Sequence, residues 1–315
     1  MKILAYIDGQ EGTTGLQIRQ RLLRHPNVEL LEIDPALRKD ASERARLINA
    51  SDVTFLCLPD AAAAEAVSLC TNPDTRIIDA STAHRTAAGW AYGFPELSKA
   101  HRAAIQKGKR IANPGCHATG FIAAAYPLVA TGIASRDYPF TCHSVTGYSG
   151  GGKKMIAQYE AENRDTALDS PRQYGLSLAH KHLPEMQRVV GLDAPPVFNP
   201  IVADYYCGMA VSTPIIARLL QKPVTRKALF EALTDYYDGC PLITVADAPE
   251  SGFLPANERA GKPGLTIYVL GNDACMTLVS VFDNLGKGAS GAAVQNMNVA
   301  FDLPETTSLL EELGV

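Results

Sequence analysis

Positive charge is not in excess in this sequence. Lys and Arg number 29 against 33 Asp and Glu, a formal net charge of −4, so no basic field is available to hold a nucleic-acid backbone. Long hydrophobic runs are also missing. The longest, Gly120 to Ala134, contains Pro127 and is too short and too rich in small residues to span a bilayer. The first residues pass straight from Met1-Lys2 into Ile3-Leu4-Ala5-Tyr6-Ile7 without the layout of a signal peptide. Cysteines occur at 57, 70, 116, 142, 207, 240 and 275, and no two have CxxC spacing. That argues against a zinc knuckle or a thioredoxin motif, and such an odd, scattered set fits reduced thiols in the cytosol. His180 and His182 lack the helix-face spacing of four and a nearby cysteine, so no metal is expected.

Composition is ordinary for a globular protein, 46% hydrophobic and 20% charged. A chain of 315 residues is long enough for two domains. The first apolar run ends at Asp8-Gly9, and glycines recur at Gly9, Gly12 and Gly15 before an amphipathic stretch. A strand, a glycine turn and a helix form the context for dinucleotide binding, with Thr13 and Thr14 at the helix start beside a pyrophosphate. The spacing is GxxGxxG rather than GxGxxG, which a plain strand-to-helix turn also satisfies. A second strand, Val28 to Ile33, ends at Asp34, an acid placed to accept hydrogen bonds from an adenosine ribose. Arg38 and Lys39 follow closely and offer the opposite, a hold on a 2′-phosphate. Both alternatives stand at this point.

Further strands at 52–58, 76–80 and 110–112 alternate with helices near 61–70 and 97–107, the pattern of a doubly wound parallel sheet. The glycine loop, Leu58-Pro59-Asp60, Ser81–Arg85 and Cys116 all follow strands, so they are expected along one sheet edge, where ligands bind. After about residue 135 strand-like runs (140–145, 196–200, 207–216, 265–270, 275–282) are separated by long segments, as in an α+β domain with a mostly antiparallel sheet. Asn284 to Gly291 reads as a glycine loop entering a small-residue helix, 292–301, that returns to the first domain. The expected division is 1–116 with 287–315 for the dinucleotide domain and 117–286 for the catalytic domain.

Asn113-Pro114-Gly115-Cys116-His117-Ala118-Thr119-Gly120 joins a strand-like run to a helix-like one. It places Cys116 at a helix N-terminus, where the dipole and open N–H groups favour a thiolate. The plainer reading is one more small buried side chain. A dinucleotide loop, such a cysteine and distant histidines together point to hydride transfer through a covalent thioester, a combination that neither a cysteine hydrolase nor a hydroxy-acid dehydrogenase requires.

These features resemble the N-acetyl-gamma-glutamyl-phosphate reductase family, in its shorter branch, a relative of aspartate-semialdehyde dehydrogenase. The resemblance runs over nearly the whole chain. It rests on Asp79-Ala80-Ser81…Arg85, Tyr92-Gly93-Phe94-Pro95-Glu96, the Cys116 motif, Ser149-Gly150, His180-Lys181-His182…Pro184-Glu185 and Asp283-Asn284-Leu285…Lys287-Gly288-Ala289. It implies Cys116 as nucleophile on an acyl phosphate, His180 as acid/base, and NADPH as hydride donor. It also implies His182, Glu185 and Tyr174 in the substrate site. Arg85 and Asn113 are the candidates for the phosphate, and Ser149 and Gly150 for donors from a backbone nest. Gly9, Gly12, Thr13, Thr14, Gly15, Arg38, Ser81 and Asn284 make up the expected NADP site. A cytoplasmic homo-oligomer, dimer or tetramer, is expected. Two competing readings are a sibling enzyme acting on aspartyl or aminoadipyl phosphate and a catalytically silent dinucleotide sensor.

Overall fold

The structure is a computed structural model and describes residues 2–309. The chain divides into two compact units, Met1–Gly115 with Ala289–Val315, and Cys116–Gly288. Cys116 therefore opens the second unit instead of closing the first.

The first unit contains β1 (Ile3–Asp8), α1 (Thr13–Leu23), β2 (Val28–Leu31), α2 (Ala41–Ala50), β3 (Val53–Leu56), α3 (Asp60–Leu69), β4 (Arg76–Asp79), β5 (Ala91–Tyr92), α4 (Lys99–Lys107) and β6 (Arg110–Ala112). Its strands are all parallel, in the order β2-β1-β3-β4-β6-β5. Central β3, Val-Thr-Phe-Leu, is buried at every position, as a strand covered by helices on both faces must be. Strand order reverses between β1 and β3, which opens a crevice at their carboxyl ends. Backbone and side-chain bonds tie the loops on that edge together: Cys57 N–H to Asp8 O at 2.8 Å, Thr82 N–H to Asp60 Oδ1 at 2.9 Å, and Asn113 N–H to Asp79 O at 2.8 Å.

The segment from Pro35 to Ser51 holds α2. Asp40 caps it by accepting the Glu43 N–H at 2.8 Å. Only Leu47 and Ile48 among its buried residues are apolar, too few to announce a helical period. They join Tyr6, Ile33, Leu56 and Ile77 in one core cluster.

The second unit contains α5 (Cys116–Ala130), β7 (Thr141–Gly147), α6 (Gly152–Tyr159), β8 (Arg172–Gln173), α7 (Leu183–Val190), β9 (Val197–Ala203), β10 (Met209–Ile216), α8 (Arg226–Tyr236), β11 (Ile243–Ala246), β12 (Leu265–Gly271) and β13 (Cys275–Phe282). Its sheet runs β11-β12-β13-β10-β7-β9-β8 and is mostly antiparallel, with parallel pairing only at β11/β12 and β7/β9 among the described residues. Helix α5 is apolar around most of its circumference and correspondingly buried. It lies so close to the sheet that a Cβ on Gly120 would come within 2.5 Å of Val211 and 2.8 Å of Phe282. Pro127 inside α5 lacks the N–H that would bond the carbonyl of Ala123. The Tyr237 hydroxyl donates to that oxygen instead, at 2.7 Å.

The chain then returns to the first unit as α9 (Gly291–Ala300), every residue of which is buried. Its amides hold backbone and side chains around it: Asn296 Nδ2 donates to Gly93 O at 2.9 Å, and Gln295 Nε2 to Glu96 Oε1 at 2.7 Å. No described helix is long and apolar enough to cross a membrane.

Candidate active site

Cys116 is the first residue of α5 and is half-buried. At that position the open N–H groups and positive helix end face the thiol. The backbone at Gly288 closes in on it: a Cβ there would lie 2.9 Å from Cys116 Cβ.

Behind the cysteine stands a cluster of rings that α5, β7 and the segment before α7 bring together. His117 is buried, with Nδ1 2.7 Å from Ser144 Oγ and Nε2 2.6 Å from the Tyr174 hydroxyl. Its ring lies 5.7 Å from those of His180 and His182, which are 4.8 Å apart and perpendicular. Burial, and after it the proximity of His180, lowers the His117 pKa to about 3, so the imidazole is neutral. Burial raises the Tyr174 phenol, and the nearby Cys116 adds to the effect. The backbone N–H of His182 donates to His180 Nδ1 at 3.2 Å. That bond puts the single proton of neutral His180 on Nε2.

The histidines do not lie on an extended loop. Leu183 N–H bonds back to His180 O at 3.0 Å, and His182 takes helical angles as the residue before α7. Glu185 is buried within the first turn of α7, where the helix dipole favours its charge. His117 and Ser144 escaped the sequence reading. The only available signal was a histidine directly after the candidate nucleophile.

Ser149, Gly150 and Asn284 form a second group in this unit. Asn284 Nδ2 donates to Ser149 Oγ at 3.0 Å, its Oδ1 accepts the Gly208 N–H at 2.7 Å, and a Cβ on Gly150 would be 3.2 Å from Nδ2. Ser149 N–H donates to Tyr206 O at 3.0 Å. It is therefore not a free donor of a backbone nest, contrary to expectation.

Three other candidates belong to the first unit. Arg85 donates from Nε to Asn113 O at 3.0 Å and from Nη2 to Ala80 O at 3.1 Å, which ties it to the loops after β4 and β6. Asn113 is buried, its Nδ2 on Ala289 O at 2.9 Å and its Oδ1 accepting from Asn296 at 3.1 Å. Those bonds orient the loop after β6 and turn the carboxamide away from a ligand role. Buried Asp79 accepts from Ser81 N–H at 2.9 Å and Ser81 Oγ at 2.7 Å, and its Oδ2 lies 2.6 Å from His84 Nδ1. The single tryptophan, Trp90, stacks on His84 at 4.1 Å.

At the β1/β3 crevice lies a pocket of about 480 Å³, lined in part by Tyr6, Gly9, Gly12, Arg38, Lys39 and Arg44. Its loop fits a pyrophosphate. Gly9 has φ +88°, and a Cβ on Gly15 would meet Gly9 O at 2.5 Å, so the turn closes tightly on the helix. Helix α1 has Gly12 as its N-cap, with no side-chain cap and no acid in its first turn, and the buried Thr13 Oγ1 has no hydrogen-bond partner among the described residues. Asp34 does not line the pocket, and its Oδ1 accepts the Ala36 N–H at 2.8 Å. Arg44 is held by Asp8, Nη2 to Oδ2 at 2.9 Å, which leaves Arg38 and Lys39 as the exposed cations. Among the described residues no group of three or more His, Cys, Asp or Glu is arranged to hold a metal ion.

A parallel sheet with an anion-ready glycine loop and a mixed sheet carrying a cysteine at a helix start define a semialdehyde dehydrogenase. Two family models agree: "Semialdehyde dehydrogenase, NAD binding domain" matches residues 32–105, and "Semialdehyde dehydrogenase, dimerisation domain" matches 116–284. Solved structures of the class share the fold. Aspartate semialdehyde dehydrogenase II from Vibrio cholerae has a TM-score of 0.72 at 15% identity, covering 96% of this chain and 99% of that one. Within the class, the chain belongs to the N-acetyl-gamma-glutamyl-phosphate reductase family. It is 44% identical over 316 residues to N-acetyl-gamma-glutamyl-phosphate reductase 2 of Nostoc sp., covering 96% of this chain and 98% of that protein. With the Brucella anthropi reductase it shares 46% over 306 residues, covering 95% and 98%.

Proposed function

We propose that this chain reduces N-acetyl-L-glutamyl 5-phosphate to N-acetyl-L-glutamate 5-semialdehyde, with NADPH as reductant and release of phosphate, in arginine biosynthesis. The observation that carries the reading is Cys116 at the start of α5 beside the Tyr174–His117–His180 cluster, in a chain with full-length reductase relatives. The Cys116 thiolate attacks the acyl carbonyl, the C–O bond to phosphate breaks, and a thioester forms. Bound dinucleotide supplies the hydride that reduces this thioester. The neutral Nε2–H of His180 is a donor suited to the carbonyl oxygen as charge grows there. For His180 to accept a proton at Nδ1, the His182 N–H must let go of it, so proton uptake and loop geometry are coupled. Glu185 and His182 line the acyl end, and Arg85 is the candidate for phosphate.

The glycine loop, the unpartnered Thr13 hydroxyl and the first turn of α1 hold the pyrophosphate. Arg38 and Lys39 hold the 2′-phosphate that distinguishes NADP from NAD. A solved Candida albicans aspartate semialdehyde dehydrogenase with NADP has the same fold, at a TM-score of 0.65 and 15% identity. The protein works as a cytoplasmic homo-oligomer, dimer or tetramer, in keeping with the dimerisation model matched by its second unit. The test is the reverse reaction. Reduction of NADP by N-acetylglutamate semialdehyde should require phosphate and should far exceed the rate with aspartate semialdehyde. Faster turnover of the aspartate compound, or phosphate independence, would overturn the assignment.

A further inference from the structure

One residue of the ring cluster has no part in the chemistry above. We propose that His117 is a positioning residue: Ser144 fixes its tautomer, so that its Nε2–H holds the oxygen of Tyr174 and the phenol's own proton is presented to an anionic atom at Cys116. The inference rests on the acyl-transfer reading of Cys116.

Hydrogen-bond accounting sets the direction of the relay. Ser144 is fully buried, and His117 Nδ1, at 2.7 Å, is the only hydrogen-bond partner of its hydroxyl among the described residues. A hydroxyl can donate or accept. If Nδ1 carried the proton, the Ser144 hydrogen would be buried without an acceptor, at a cost of about 1–3 kcal/mol. Donation from Ser144 to Nδ1 avoids that cost and leaves the one proton of the neutral imidazole on Nε2. Nε2–H then donates to the Tyr174 oxygen at 2.6 Å. The Tyr174 hydroxyl has no other hydrogen-bond partner among the described residues, so its O–H is left for a ligand. The phenol is only partly buried, so water can take that hydrogen when the site is empty. The opposite relay, Tyr174 to His117 to Ser144, strands a proton in the fully buried position instead.

The ring that carries the hydroxyl is itself fixed. Tyr174 packs against the cluster of Tyr159, Leu168 and Val202, and its N–H bonds Pro200 O at 3.0 Å. The His117 ring is wedged edge-on against Phe198 at 5.2 Å. The relay is therefore preorganised, with the hydrogen of the phenol as its one open valence.

Nitrogen NMR of the protein labelled at its histidine rings reads the tautomer without reference to activity, with His117 assigned by loss of its signals in His117→Gln. A protonated Nε2 and a bare, acceptor-type Nδ1 at neutral pH are expected. A protonated Nδ1 overturns the proposal. A kinetic cycle reads the function. Ser144→Ala should lower kcat about tenfold, the worth of one well-placed hydrogen bond, with dinucleotide KM unchanged. In a Tyr174→Phe background, which keeps the ring packing, the same change should cost less than about twofold. Additive losses would show that Ser144 acts through packing and would sink the relay. If the protein turned over no acyl phosphate at all, the nitrogen spectrum would still decide the tautomer, so the two failures are distinguishable.

Discussion

The glycine loop after β1 offers a ligand its backbone, whereas the cluster around Cys116 offers side chains. In the first, Gly9 and Gly15 remove the Cβ atoms that would obstruct the turn, and α1 presents its first N–H groups without a side-chain cap. In the second, Cys116, His117, Ser144, Tyr174, His180 and His182 come from separated stretches and meet only because β7, α5 and the loop before α7 pack together. A backbone site tolerates many side-chain exchanges provided the turn survives. A side-chain site concentrates its function in single atoms. The two should fail in different ways.

The largest contrast is expected at Cys116. Cys116→Ser should reduce turnover to the detection limit and leave dinucleotide affinity within about twofold, because an alkoxide is far harder to form than a thiolate. Fluorescence titration of NADPH alongside the rate assay separates the two properties. Substantial activity in the serine variant would mean that the thioester is not on the path. Next, His180→Asn should lower kcat by about a hundredfold or more and remove one limb of the pH–rate profile. His182→Asn should chiefly raise the KM for the acyl phosphate, since its backbone N–H, and so the hold on His180 Nδ1, persists. A kcat collapse confined to the His182 variant would reverse these roles.

The third contrast concerns acid. The His117 pKa falls from 6.5 to about 3 on folding, so below pH 6.5 the unfolded chain binds a proton that the folded chain refuses. Stability is complete above the unfolded value and is lost as pH falls, down to the folded value. At pH 4.5 the loss from this residue is about 3 kcal/mol. Urea unfolding at pH 7.5 and 4.5 should show a pH-dependent loss smaller by that amount in His117→Gln. An equal loss in both proteins would mean that the imidazole becomes charged in the fold.

A smaller effect tests the backbone pocket through the side chains at its rim. Arg38→Ala with Lys39→Ala should raise the KM for NADP at least about tenfold, the scale of a charged hydrogen bond, and change that for NAD little. An equal response to the two cofactors would put the 2′-phosphate elsewhere, with Arg44 the next candidate on the pocket wall.

What the sequence disclosed follows the same division. Glycine spacing, the apolar runs of β1 and β3 and the Asn-Pro-Gly turn are local signals, and they located the loop, the parallel sheet and the helix start at Cys116. Asp34 left the cofactor open because a carboxylate at a strand end has two uses, a ribose or its own turn, and here its Oδ1 accepts the Ala36 N–H. Helix α2 was hidden by its polar surface, and α7 by the proline at its second position, which reads equally as a loop. His117 was invisible for another reason. Its partners Ser144 and Tyr174 lie 27 and 57 residues away, and nothing in a histidine's neighbours along the chain reports such a pairing.

The smallest effect lies in the helix that carries the nucleophile. In the first unit the helix at the ligand relies on its own backbone, whereas α5 has a gap in its hydrogen-bond ladder where Pro127 lacks an N–H. The Ala123 carbonyl would be stranded in a buried segment, but the Tyr237 hydroxyl reaches it from the residue after α8. Tyr237→Phe keeps the ring, which is buried, and removes only the donor. The expected cost is about 1–2 kcal/mol, above that of an ordinary hydrogen bond because the acceptor stays buried and unpaired. Urea unfolding measures that loss. With the fold intact, kcat and both KM values should stay within about twofold, because Ala123 lies two turns beyond Cys116 along α5. A stability loss near zero would mean that water or a shifted helix backbone satisfies Ala123. A kcat loss beyond tenfold would mean that strain at Pro127 reaches the thiol, and that the helix end at Cys116 depends on a side chain after all.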